Sequence, residues 1–159
     1  VEDVGVRVGV VAAPRPVAAG LGLVEQPGGR EVLRLPLLVE VRFPIRPGAG
    51  SAYEKVERRV GDWPVCSAGA YVVVSGGVVT DCGIGLTAVG AEHFCAPEAE
   101  AFLSGKAPTE ENLRAAAQMA ADACDPASDQ RGPADYKKHL AGELSFRALS
   151  RAAASSQGA

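Results

Sequence analysis

The run PVCSAGAYVVVSGGVVTDCGIGLTAVG, residues 64–90, constrains the fold more than any other part of the chain. Two stretches that gather β-branched residues flank a Ser-Gly-Gly turn, which is the pattern of an antiparallel hairpin closed by a tight loop. Gly83 and Gly85 fall inside the second stretch, where they predict a bulge or the close approach of another backbone. With Ser51–Val60 as a further partner, the prediction is a meander of three or four antiparallel strands.

Upstream, residues 1–36 are rich in Val, Gly, Ala and Pro, with VRVGVV (6–11) strand-like and APRP, QPGG and RLP as breakers. LLVEVRFPI (37–45) sets Val39, Val41 and Phe43 on one side and Glu40 and Arg42 on the other, the period of a half-buried strand. Pro44 and Pro47 end it, and RPGAGS turns.

Downstream of the meander the pattern becomes helical. Pro97 suits a first helical position, and 97–105 is expected to turn Ala101, Phe102 and Leu103 inward before Gly105 stops it. Thr109 can cap the next helix, with Glu110 and Glu111 near its positive end, and Leu113, Ala116, Ala117, Ala120 and Ala123 form a narrow apolar stripe. After a loop at 125–133, Tyr136, Leu140, Leu144 and Ala148 recur every four residues and define a third amphipathic helix. Strands first and helices afterwards predict an α+β fold, a small antiparallel sheet of three or four strands with three helices packed on one face.

Net charge of −3 and basic residues spread along the chain argue against a nucleic-acid partner. No apolar run is long enough to span a bilayer, and the opening VEDVGVRVGVV lacks a basic region followed by a cleavage site, so a cytoplasmic location is expected. Cys66, Cys82, Cys95 and Cys124 form no CxxC pair and sit among apolar or small residues, as buried free thiols do. His93 and His139 have no second ligand at a metal-binding interval, so no metal site is expected. KKH (137–139) reads as a solvated helix face, and Asp125, Asp129 and Asp135 as loop and capping residues. Motifs for hydrolases, zinc proteases, P-loops and dinucleotide binding are missing from the sequence, so no catalytic residue is assigned.

What remains is SAYEKVERRVGDWP, residues 51–64, in which charges and two aromatics are concentrated. It reads either as an edge strand with a charged outer face and a turn at Gly61–Asp62, or as a segment presenting the Tyr53 ring and nearby cations to a flat, partly anionic cofactor.

SAYEKVERRVGDWPV, GGVVTDCGIGLTAVG, CAPEAEAFLSGK and CDPASDQRGPADYKKHLAGELSFRAL, in this order and spacing, resemble the C-terminal domain of the flavoprotein (medium) subunit of molybdenum-containing hydroxylases of the carbon monoxide dehydrogenase type. The resemblance covers about residues 37–152, and LLVEVRFP is similar to the strand that precedes this domain. It implies a subunit domain that flanks FAD and helps relay electrons from iron–sulfur clusters to an external acceptor, within an oxidoreductase and not as a catalyst alone. The partners implied are a large subunit with the molybdenum cofactor and a small subunit with 2Fe-2S clusters, in a heteromeric complex. Carried over onto the pattern Y-x-K-x-x-R-x-x-x-D, the cofactor-contacting positions are Tyr53, Lys55, Arg58 and Asp62, with Tyr53 against the isoalloxazine. The glycine-rich loops that grip the FAD pyrophosphate in such proteins, of the AGG-H-S and T-x-GG kinds, do not occur in this sequence, so most of the FAD grip is expected from a domain absent here. The expected organisation is a remnant or linker of a truncated FAD-binding domain at 1–50, the C-terminal domain at 51–152 and a disordered tail at 153–159. The alternative is an assembly module with no cofactor contact of its own.

Overall fold

The structure is a computed structural model that describes residues 23–25, 31–33 and 46–157. The strands expected at 6–11 and 37–45 lie outside the described residues. Two compact units divide the chain, Val1–Arg46 and Pro47–Ala159. In the first, β1 (Leu23–Glu25) and β2 (Glu31–Leu33) pair antiparallel, with Val24 opposite Val32. No strand was expected at either position.

The second unit holds a three-stranded antiparallel sheet in the order β3 (Ala49–Val56), β4 (Cys66–Ser75), β5 (Val78–Thr87). Gly76 and Gly77 close the β4–β5 hairpin with φ of 59° and 81°. Two successive positive φ values match the twist of the flanking strands, and glycine adopts them at no steric cost. The chain leaves β3 at Val56 and not at Val60, because Gly61 at φ 83° and the Asp62 N–H donated to the Arg59 carbonyl, 3.0 Å, bend residues 57–64 into a turn. The bulge sits at Val73/Val74 and not at Gly83 or Gly85. Those two glycines meet other neighbours: the Tyr71 ring covers Gly83, and Gly85 bridges to Cys95, so a second backbone does approach it.

Three helices follow: α1 (Pro97–Leu103), α2 (Glu110–Asp122) and α3 (Ala134–Gln157). Helix α3 lies along β3 and β4, α2 packs on α3, and α1 packs on α2 and β5. The closest approach is at Gly50, where a Cβ would lie 2.0 Å from the Ala152 carbonyl oxygen. Only a residue without a side chain permits that contact. The core gathers Val72, Val79, Leu86, Val89, Leu103 and Leu149, all fully buried. The β5 edge is closed by α1 and its exit: Glu100 Oε1 accepts from Ile84 N–H at 2.8 Å, and Val79 exchanges backbone bonds with Lys106 and Gly105. An edge so occupied cannot recruit a foreign strand.

Several expected positions shift. Ala101 is exposed and Phe102 half-buried beneath Lys106, so Ala99 and Leu103 carry the inward face of α1. Thr109 caps α2 as expected, accepting from Asn112 N–H at 3.3 Å. Ala123 is the exposed C-cap of α2, and Ala121 and Cys124 fill the buried positions instead. Tyr136 is exposed, because the buried stripe of α3 runs through Lys137, Leu140, Ala141, Leu144 and Ala148. That phase also corrects the solvated reading of KKH. Lys137 is only 4% exposed, and its ammonium reaches the Ala127 carbonyl and the Asp129 carboxylate, both at 2.8 Å. A disordered tail from 153 is corrected as well: α3 continues to Gln157 with Ala153 and Ser156 buried. Ser156 Oγ accepts from Val74 N–H at 2.9 Å and donates to the Gly48 carbonyl at 2.7 Å, so the last turn of α3 ties β4 to the turn that leads into β3.

Candidate flavin-facing surface

Alternation along β3 sends Gly50, Ala52, Glu54 and Val56 toward the helices and Ser51, Tyr53 and Lys55 to the opposite face. Among the described residues the helices cover only the first of these faces, and Tyr53 is 60% exposed. The register places Tyr53 opposite Gly69, and Gly69 opposite Gly85. A lane without side chains therefore crosses β4 and β5 beside the tyrosine. A Cβ on Gly69 would lie 3.6 Å from Tyr53 Cδ2, so the ring rests on bare backbone. Diagonally across the face, Tyr71 lies over Gly83 in the same manner and donates its hydroxyl hydrogen to Asp81 Oδ1 at 3.2 Å.

The β3–β4 connection is organised around Asp62. Its Oδ1 accepts from Trp63 N–H at 2.7 Å, Arg58 Nε lies 3.9 Å from its Oδ2, and Arg131 Nη2 lies 3.9 Å from its Oδ1. Arg131 also donates to the Pro64 carbonyl at 3.3 Å, which fastens this connection to the loop before α3. That loop is held in turn by Asp129, which accepts from Arg131 N–H at 2.8 Å and pairs with the buried Lys137. The Lys137 and Arg131 partners hold the Asp129 carboxyl below its usual range. Lys55 forms an ion pair with Glu57. At the crest of the connection Val60 and Trp63 stand in solvent, Trp63 at 76% exposure.

Of the four positions singled out in the sequence, Tyr53 and Lys55 share the open face of β3, while Arg58 and Asp62 meet each other in the connection. Asp62 acts as a loop anchor whose carboxylate is turned to Arg58, Arg131 and Trp63 N–H. Sequence reasoning did not single out Gly69 or Arg131. Gly69 becomes visible once Tyr53 is counted across the β3–β4 register, whereas Arg131 is 69 positions from Asp62 and left no local signal.

The thiols have no part in this surface. All four cysteines are free; burial pushes the Cys66 thiol up to about 12 and the Cys82 thiol up to about 11, and raises that of Cys124. Among the described residues no cluster of His, Cys, Asp or Glu could hold a metal ion, and no helix is long and apolar enough to cross a membrane. A hollow of about 460 Å³ between α2 and α3 mixes Arg114, Lys138 and His139 with Asp122, Asp135 and Glu143, and lies on the helices rather than on this face.

A three-stranded antiparallel sheet with three helices after it, and an aromatic-and-basic strand and turn at its β3 edge, defines a small α+β domain. The chain belongs to the CO dehydrogenase flavoprotein C-terminal domain family, whose profile matches residues 51–152. It is 40% identical over 117 residues to the carbon monoxide dehydrogenase medium chain of Hydrogenophaga pseudoflava, a match covering 73% of this chain and 41% of that one. It is 26% identical over 117 residues to the glyceraldehyde dehydrogenase medium chain of Sulfolobus acidocaldarius, covering 74% of this chain and 42% of that one. This chain thus spans about two-fifths of the length of these curated relatives. Among solved structures, a carbon monoxide dehydrogenase of Hydrogenophaga pseudoflava lacking the Mo-pyranopterin moiety of its molybdenum cofactor superposes with a TM-score of 0.71 at 39% identity, over 82% of this chain and 51% of that one. Quinoline 2-oxidoreductase of Pseudomonas putida 86 superposes with a TM-score of 0.62 at 28% identity, over 76% of this chain and 39% of that one.

Proposed function

We propose that this chain is the flavin-flanking domain of a molybdenum hydroxylase of the carbon monoxide dehydrogenase type, with Tyr53 bordering the isoalloxazine of FAD. One observation carries the proposal: a tyrosine ring lies beside the bare backbone of Gly69 and is 60% exposed, on a face that none of the described helices covers. A tyrosine exposed on a strand offers a flat apolar face and a hydroxyl, the two features that suit contact with a flat, partly polar ring system.

The residues fit one part of FAD and not the other. A tyrosine ring and a lane of bare glycine backbone suit a flat ring system. Lys55 and Arg58 are already engaged by Glu57 and Asp62, so they shape the rim and its local potential and do not offer a full charge to a pyrophosphate. FAD, when bound, supplies the redox chemistry. Tyr53 limits the position of its ring, Asp62 and Arg131 fix the connection beside it, and the covered inner face keeps β3 rigid.

By the same proposal the domain serves electron transfer from the 2Fe-2S clusters of a small subunit to an external acceptor, while substrate is oxidised at the molybdenum cofactor of a large subunit. The complex is heteromeric and cytoplasmic. Mixing the 159-residue chain with FAD and a medium-chain FAD-binding domain supplied in trans tests the flavin contact. A yellow complex whose flavin spectrum changes in Tyr53→Ala supports it; identical spectra for the two chains reject it. The exposed Val60 and Trp63 favour a second role as an assembly module, since Trp at a protruding turn is typical of interface hot spots. Capture of the partner subunits by wild type but not by Trp63→Ser, with identical flavin spectra throughout, would favour that role over flavin contact.

A further inference from the structure

We propose that Gly69 is the positioning residue for Tyr53: its bare backbone is the bed that sets the attitude of the ring toward the flavin. The inference rests on the flavin-flanking function proposed above. Glycine weakens the interior of a strand and gives neighbours nothing to pack against. Its presence in the central strand, on the accessible face, therefore calls for a reason other than stability.

The geometry supplies that reason. A Cβ at Gly69 would lie 3.6 Å from Tyr53 Cδ2 and 3.9 Å from the Ala52 carbonyl oxygen, which is ordinary van der Waals distance. A methyl group fits there, but atoms beyond the Cβ would enter the space the ring occupies. The next residue in the same row, Gly85, also lacks a side chain, so no neighbour across the sheet holds the ring from that direction. Tyr71 shows the contrast. Its ring lies over Gly83 and its hydroxyl is tied to Asp81, whereas among the described residues nothing bonds the Tyr53 hydroxyl. Gly69 is thus the residue directly across the sheet from Tyr53, and by this proposal it sets the attitude of the ring. Gly69 does not have a positive φ, so a side chain is conformationally allowed, and a β-branched one suits a strand. Position 69 can thus be filled without harming the fold.

The experiment uses the full chain with 3-fluorotyrosine at position 53, read by ¹⁹F NMR, and FAD binding in the mixture with the FAD-binding domain in trans. In Gly69→Val, and in Gly69→Thr as a second filling variant, the expected outcome is a displaced ¹⁹F resonance, a melting temperature no lower than wild type and FAD bound about two- to ten-fold more weakly. Gly69→Ala is expected to match wild type in all three. An unmoved resonance in both filling variants overturns the proposal, and so does a moved resonance with wild-type FAD affinity. If Tyr53→Ala itself binds FAD like wild type, the flavin-flanking function fails; if only Tyr53→Ala weakens binding, that function stands and the role of Gly69 falls.

Discussion

On the inner face of the sheet a methyl group at Gly50 would lie 2.0 Å from the carbonyl oxygen of Ala152 and 2.4 Å from the backbone nitrogen of Ser156. On the outer face a methyl group at Gly69 would lie 3.6 Å from an atom of the Tyr53 ring. The first glycine lets a helix backbone press against a strand. The second lies beside a single exposed side chain. The same residue type thus serves packing on one face and presentation on the other, and what separates the two is whether the nearest atom belongs to backbone or to a rotatable ring.

The contrast is open to direct attack. Leu149, fully buried where α3 meets the sheet, should be the most costly to truncate: Leu149→Ala is expected to lose about 2–5 kcal/mol in urea unfolding. A loss well under that range would mean the inner face is not close-packed. Next comes the paired substitution. Gly50→Ala should cost about 1–3 kcal/mol through overpacking, while Gly69→Ala should stay within about 0.5 kcal/mol of wild type. Equal effects of the two would erase the difference between the faces.

The loop that carries Arg131 sharpens the comparison through pH. The folded pKa of Asp129 is depressed from 3.8, so its contribution to stability is present above that value and is lost as pH falls through the folded pKa. Asp129→Asn should therefore flatten the acid limb of the stability curve below about pH 4, and leave the curve's shape at neutral pH unchanged. An unaltered acid limb would show that the Lys137–Asp129 pair does not hold the loop. The smallest effect concerns the thiols. With Cys66, Cys82 and Cys124 buried and raised, Cys95 alone should react promptly with a disulfide reagent near pH 8 in the folded chain, and all four after unfolding. Fast reaction of more than one thiol would show that the core admits solvent.

The hairpin was legible because a two-residue glycine turn between β-branched runs admits few alternatives, and α2 because Thr109 and its following acids mark a helix start locally. Helix phase was less legible. Tyr136 and Ala123 fitted an apolar pattern by residue type, yet Lys137 occupies the buried stripe because a long aliphatic stem can lie inside while its ammonium reaches a carbonyl at the loop. The end of α3 was misread for a related reason. A run of Ala and Ser resembles a loose tail in composition, but small residues are what allow that turn to lie against Gly50 and Gly48. Of the surface, Tyr53 was a candidate from the family pattern, while the residues themselves also allowed an edge strand; that it is 60% exposed on β3 is visible only in the structure. Gly69 and Arg131 depend on strand register and on a long-range contact, which composition does not encode.

The central claim is that Tyr53 stands open on the outer face to border a flavin and contributes little to folding. Its most direct test is Tyr53→Ala, with melting temperature and flavin absorbance recorded on the same sample, the chain mixed with FAD and the FAD-binding domain in trans. The expected result is a melting temperature within a few degrees of wild type together with a shifted or weakened flavin band. A wild-type flavin band, or a ring whose loss unfolds the domain, would contradict it.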